Sequence, residues 1–151
     1  MKILIDADSC PAPARELVLR AARRTKTPAV FAANRNISGI EGDYAQMIVC
    51  PETPGSADNR LTELAEKGDL AVTRDVPLAK RLLEAGAAVL DDRGRIYDKE
   101  NIREKLSLRN FTVGLAENGY DFDRSAGYGK RELKAFADSF DKLLTKLINY
   151  A

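Results

Sequence analysis

The residues with the most chemical potential in this chain are aspartates, and they recur in one setting. Ile3-Leu4-Ile5-Asp6-Ala7-Asp8 lies at one end and Leu70-Ala71-Val72-Thr73-Arg74-Asp75 in the middle, each a short apolar run that ends in acid. Between them, Ser56-Ala57-Asp58-Asn59 stands at the start of a helical pattern. In an open parallel sheet, residues just past the carboxyl ends of strands converge on one crevice, where ligands bind. Carboxylates gathered there repel one another, and a hard divalent cation with oxygen ligands keeps them ionised. The pattern therefore predicts Mg²⁺- or Mn²⁺-dependent chemistry on phosphate esters.

Asp6 closes the first strand and Asp8 follows two residues later, so both are candidate ligands and catalytic groups. Asp58 falls in a first helical turn, where the macrodipole alone favours an acid. Asp75 is an N-cap for a helix with Pro77 in its first turn, and it also occupies the end of the fourth strand. Asp91 and Asp92 precede Arg93-Gly94-Arg95. A solvated turn accounts for both, with a peripheral ligand role for Asp92 as the alternative. Asn34 and Asn59 are neutral oxygen donors near the same rim, suited to metal-bound water or substrate. Arg35, Arg74 and Lys80 are the cations that would neutralise phosphate oxygens. Tyr120, Phe122 and Tyr128 either stack nucleic-acid bases or anchor their own loop.

The chain contains no histidine, which removes Ser-His-Asp and Cys-His catalysis in their usual forms and zinc sites built on imidazole. Proton transfer is left to carboxylates, Lys, Tyr, Cys or metal-bound water. Cys10 and Cys50 are too few for a disulfide framework and suit a reducing compartment. Cys10 sits beside a helix start, a position that lowers a thiol pKa, so a reactive thiol is weighed against a merely positional one. A net charge of +1 argues neither for nor against nucleic acid.

The elements that must position these groups are legible in outline. With 151 residues, 44% of them hydrophobic and 31% charged, the chain suits one globular domain. No apolar run approaches the ~20 residues of a membrane span, and Met1-Lys2 leads directly into a strand, so a cytoplasmic location without a signal peptide is expected. Strands are expected at Lys2–Asp6, Pro28–Ala33, Gln46–Cys50, Asp69–Thr73 and Ala87–Leu90. Helices are expected at Ala14–Arg24 with Ser9 or Asp8 as cap, from Ser56 as cap to a stop at Gly68, and from Asp75 as cap to a stop at Gly86. Strand runs such as Ala-Val-Phe-Ala lack alternation, which indicates a parallel sheet buried on both faces. The fold class is α/β, a three-layer αβα arrangement around a mainly parallel sheet of about five strands.

Residues 1–98 form the sheet core with its acidic pocket, and 99–151 a helical extension of the same domain. The extension includes short helices at Lys99–Ser107 and Asn110–Glu117, an aromatic loop at Asn118–Lys130 and a helix at Lys130–Tyr150. Leu133, Phe136, Phe140, Leu143 and Leu147 stripe that last helix at steps of three and four. The stripe serves packing on its own domain or, alternatively, a homodimer contact.

The segments Asp6-Ala7-Asp8-Ser9-Cys10-Pro11, Ala57-Asp58-Asn59 and Thr73-Arg74-Asp75-Val76-Pro77-Leu78-Ala79 resemble the motif set of the bacterial YaiI/YqxD family. The turn at Arg93 to Tyr97 and the Leu108-Arg109-Asn110-Phe111 segment resemble it as well, so the likeness runs nearly end to end. That family is similar in fold to PIN-domain nucleases. The resemblance implies a PIN-like sheet and an acidic metal pocket at Asp6, Asp58 and Asp75, with Asp8 adjacent. Arg74 departs from the small residue expected beside the acid; a cation there either grips phosphate or hinders metal loading.

The leading reading is a metal-dependent nuclease on RNA, with single-stranded RNA as partner and no membrane association. A second is a phosphatase of the haloacid-dehalogenase type, with Asp6 as nucleophile, Asp8 as acid-base, and Thr73, Lys80 and Asp91-Asp92 as its later motifs. A third is a module that binds metal or nucleic acid without turnover.

Overall fold

In a computed structural model, the structure describes residues 1–108 and 127–150. The expected helix at Asn110–Glu117, most of the aromatic loop with Tyr120 and Phe122, and the segment from Arg109 to Phe111 lie outside the described residues. Six strands form one sheet: β1 (Ile3–Asp6), β2 (Ala29–Ala33), β3 (Ala45–Val49), β4 (Leu70–Val72), β5 (Ala88–Leu90) and β6 (Ile96–Tyr97). Their spatial order is β3-β2-β1-β4-β5-β6. All pairings are parallel except β5 with β6. The helices are α1 (Ala12–Thr25), α2 (Ser56–Leu64), α3 (Val76–Glu84), a stretch at 102–108 here called α4, and α5 (Lys130–Asn149). A short 3₁₀ turn, Ala7–Ser9, joins β1 to α1.

The parallel core follows from its side chains. All residues of β1, β2 and β4 are buried, as a sheet covered on both faces requires. Because successive side chains point to opposite faces, Ile3 and Ile5 join Phe31, Val72 and Leu90 on one side, where α1 and α5 contribute Val18, Ala21, Phe136, Phe140 and Leu144. Leu4 joins Val30, Ala71 and Val89 on the other, against Leu61 of α2 and Leu78 and Leu82 of α3. The result is a three-layer αβα arrangement.

Phe136 and Phe140 are fully buried, with ring centroids 5.3 Å apart. The terminal helix thus closes one face of its own sheet. Leu144 fills the deep position there, whereas Leu143 and Leu147 are only partly buried. Among the described residues no helix is long and apolar enough to cross a membrane.

Some local expectations need correction. The strand β6 was expected as a turn; Ile96 and Tyr97 instead add an antiparallel edge to β5. Neither Ser9 nor Asp8 caps α1, whose N-cap is Pro11 without a side-chain bond. Ser56 does not cap α2 either; Gly55 holds that place with φ +80°, a left-handed conformation that glycine adopts without strain.

Candidate functional site

The order of strands reverses between β1 and β4: chain progress runs toward β2 and β3 on one side and toward β5 on the other. That switch point is where helices leave opposite faces of a doubly wound sheet and open a crevice. Asp6 at the end of β1 and Thr73, Arg74 and Asp75 just past β4 occupy it.

Asp6 is buried, and neutral hydroxyls hold it. Its Oδ2 accepts from Thr73 Oγ1 at 2.9 Å and from Ser9 Oγ at 3.0 Å. The Ser9 hydroxyl, expected as a helix cap, is therefore engaged with the acid before it. Burial pushes the Asp6 pKa up, the two hydroxyl bonds oppose the rise, and the charges of Asp75 and Asp8 add to it. Thr73 links two of the acids, because its Oγ1 also accepts the Asp75 backbone N–H at 3.0 Å. Asp75 caps α3 as its position beside Pro77 predicts, accepting the Leu78 N–H at 3.2 Å.

Asp58 arrives from α2, half-buried in its first turn. Its carboxyl is raised to about 6, first by burial and then by Asp75 and Asp6, with Arg81 opposing. The structure thus brings Asp6, Asp58 and Asp75, from distinct elements, into one another's electrostatic field. None of the three forms an ion pair among the described residues.

Asp8 stands at the margin. Its Oδ2 accepts the Asn34 N–H at 3.0 Å and its Oδ1 lies 3.5 Å from Arg35 Nε. Asn34 Oδ1 accepts from Ser56 Oγ at 3.0 Å, tying the end of β2 to the start of α2. Asn59 Oδ1 accepts from Arg81 at 2.9 Å, and the exposed Lys80 pairs with Glu84 at 3.8 Å.

Arg74 turns to Asp92, donating Nε at 3.2 Å to one oxygen and Nη2 to the other. Asp92 and Asp91 are both buried and not solvated turn residues, as one reading had them. Asp91 Oδ1 accepts the N–H groups of Arg93 and Arg95, each at 2.9 Å, so it organises the β5–β6 turn. The Asp92 carbonyl accepts the Tyr128 hydroxyl at 2.6 Å. Tyr128 is thus bound to the turn, which favours the anchoring role for it. Cys10 is buried and its thiol is pushed up to about 12, mainly by desolvation, with Asp92 adding to the rise. Burial outweighs any lowering by the helix start, and a reactive thiol is not what this position supplies.

The donor chemistry of Asp6, Asp58 and Asp75 suits a hard cation. Among the described residues, however, no group of three or more Asp, Glu or Cys side chains is placed to hold a metal ion by itself. A cation here would be bound by fewer protein carboxylates, with the remaining positions filled from elsewhere.

Comparison with known proteins places this architecture. The family model described as "Uncharacterized BCR, YaiI/YqxD family" matches residues 4–146. The chain belongs to the YaiI/YqxD family. It is 44% identical to a "UPF0178 protein" of Treponema denticola, over 98% of this chain and 94% of that one. Similar proteins under the same name occur in Syntrophobacter fumaroxidans, at 42% identity over 97% of this chain and 95% of the relative, and in Myxococcus xanthus, at 40% over 98% and 97%. No solved structure matches the chain significantly. Within this YaiI/YqxD chain, sequence reasoning missed the Arg74–Asp92 pair. Its partners lie 18 residues apart, each two residues past the end of a different strand, and the β4–β5 pairing brings them together.

Proposed function

We propose that this YaiI/YqxD protein is a divalent-cation-dependent phosphodiesterase acting on nucleic acid, with single-stranded RNA as its substrate. The observation that carries the reading is the gathering of Asp6, Asp58 and Asp75, without a paired cation among the described residues, at the switch point of a doubly wound sheet. Mg²⁺ or Mn²⁺ suits such a site, because magnesium is commonly held by one or two carboxylates while waters and substrate phosphates complete its shell. A bound ion would supply charge stabilisation and an activated water. Asp6 and Asp75 are the candidate ligands, with Asp58 closing the same field and Asp8 at its edge. The hydroxyls of Thr73 and Ser9 hold Asp6 Oδ2 and so fix the direction of its carboxyl group. Asn34, Asn59, Arg35 and Arg74 are the candidate contacts for a phosphate chain.

The phosphatase reading has less support. Lys80 is paired with Glu84, and Asp91 and Asp92 are engaged by the turn and by Arg74.

The test is cleavage of end-labelled single-stranded RNA with Mn²⁺, comparing wild type with Asp75→Asn. Asparagine caps a helix about as well as aspartate, so α3 stays intact while a charge leaves the site. Loss of cleavage on the order of 100-fold or more is expected, the size associated with removal of one charge-stabilising group. Unchanged cleavage in Asp75→Asn, or none by folded wild type, would sink the proposal.

A further inference from the structure

We infer that Arg74 and Asp92 form an anion clamp at the edge of the acidic site, in which Asp92 fixes the guanidinium so that its free edge binds a phosphate group. The inference rests on the proposed function only for the identity of the phosphate carrier; the clamp is argued from its own geometry.

The Asp92 side chain is 2% exposed whereas that of Arg74 is 45% exposed, so the pair has a buried anchor and an open head. Burying a carboxylate costs several kcal/mol unless its partner is well placed, and apolar replacements usually serve stability as well. A pair of this kind is therefore poorly explained by stability alone. Nε and Nη2 both point to Asp92, which leaves Nη1 and the second hydrogen of Nη2 without a partner among the described residues. A guanidinium locked along one edge presents the other in a fixed fork, and this is the geometry that recognises phosphate oxygens.

The anchor is itself held from several directions. Asp91 ties the turn after Asp92 through the Arg93 and Arg95 N–H groups, and Tyr128 holds the Asp92 carbonyl. On the other side, Arg74 stands between Thr73, bonded to Asp6, and Asp75, the cap of α3. The charges of Asp92, Asp6 and Arg74 all act on the Cys10 thiol. The Arg74 cation is directed to Asp92. A phosphate on its free edge would lie beside the carboxylates, not on them.

The experiment is a side-chain ¹⁵N–¹H NMR titration of the full chain with inorganic phosphate, with chelator present so that no cleavage intervenes. The Arg74 Nε–H signal is expected to shift saturably, and more than those of Arg20 and Arg23, exposed on α1. In Asp92→Asn the phosphate affinity read at Arg74 should fall at least about tenfold. Arg74→Lys, read through the Thr73 and Asp75 amides, should lose a similar factor because a point charge lacks the fork. This variant decides the matter if Asp92→Asn does not fold. An Arg74 response no larger than that of Arg20 and Arg23, or an affinity untouched by both substitutions, would overturn the clamp. A specific response at Arg74 in a chain that cuts no RNA keeps the clamp and rejects the nuclease. RNA cleavage with no response at Arg74 does the reverse.

Discussion

The two ends of the β1–β4 pair both carry buried aspartate, and the chain treats them in opposite ways. At the end where β4 begins, Asp69 accepts the Lys2 ammonium at 2.7 Å, the Lys2 N–H at 3.0 Å and the Glu66 N–H at 2.8 Å. Its charge is met by a cation, and the two bonds from Lys2 latch the start of β1 beside β4 while the Glu66 bond closes the loop before β4. At the end where β1 stops, Asp6 receives two neutral hydroxyls, and the charged neighbours that act on it, Asp75 and Asp8, have its own sign. A strand-end aspartate is therefore not a site by virtue of its residue type. What separates a latch from a candidate site is whether the protein supplies the countercharge.

The comparison can be tested at both ends. Asp69→Ala removes the cation's partner and strands two backbone donors, so it should cost about 3 kcal/mol and lower Tm by about 6–12 °C. Thermal melts check this, and the surviving folded fraction should cleave RNA at the wild-type rate. At the other end, Mn²⁺ at about 100 times its Kd should raise the wild-type Tm by an amount worth about 2.7 kcal/mol. Asp6→Asn should abolish most of that shift; a shift equal to wild type would show that the ion binds elsewhere.

Thr73→Val keeps the side chain's shape but removes a donor to Asp6 and an acceptor for the Asp75 N–H, at a cost of about 2 kcal/mol in denaturant unfolding. The smallest effect concerns Asp58, whose carboxyl is raised from 3.8 to about 6. The folded chain holds that proton more tightly than the unfolded one. The stability it contributes is complete below about pH 4 and is lost as pH rises through about 6. Asp58→Asn should accordingly stabilise the metal-free protein at pH 7 by about 1 kcal/mol, after discounting for solvent around a partly exposed group, and by nothing near pH 4. Melts across that pH range would expose an error in the assignment.

The strands and the positions of Asp6, Asp58 and Asp75 were legible because each depends on local pattern: an apolar run ending in acid, a first helical turn, an acid two residues before proline. Partnership was much less legible. Ser9 and Ser56 look like helix caps, yet their hydroxyls turn to Asp6 and to Asn34, choices that only tertiary packing decides. Asp91 and Asp92 look solvated in the sequence because their partners, turn amides and an arginine just past the end of β4, are met only in the folded chain. The two-residue β6 carries too short a pattern to announce itself and exists because β5 offers it an edge.

The Asp92 turn has one further consequence, in the order of events during synthesis. A side chain at Gly94 would collide with the Ala135 carbonyl, and the Gly94 carbonyl accepts the Ser139 hydroxyl at 2.7 Å. The turn is thus fitted closely to α5. A growing chain can pair β1 with β4 once residue 72 has left the ribosome, but this corner waits for a helix some 40 residues beyond it, and such distant contacts are slow to close. The acidic end of the sheet is therefore finished only after α5 has been made.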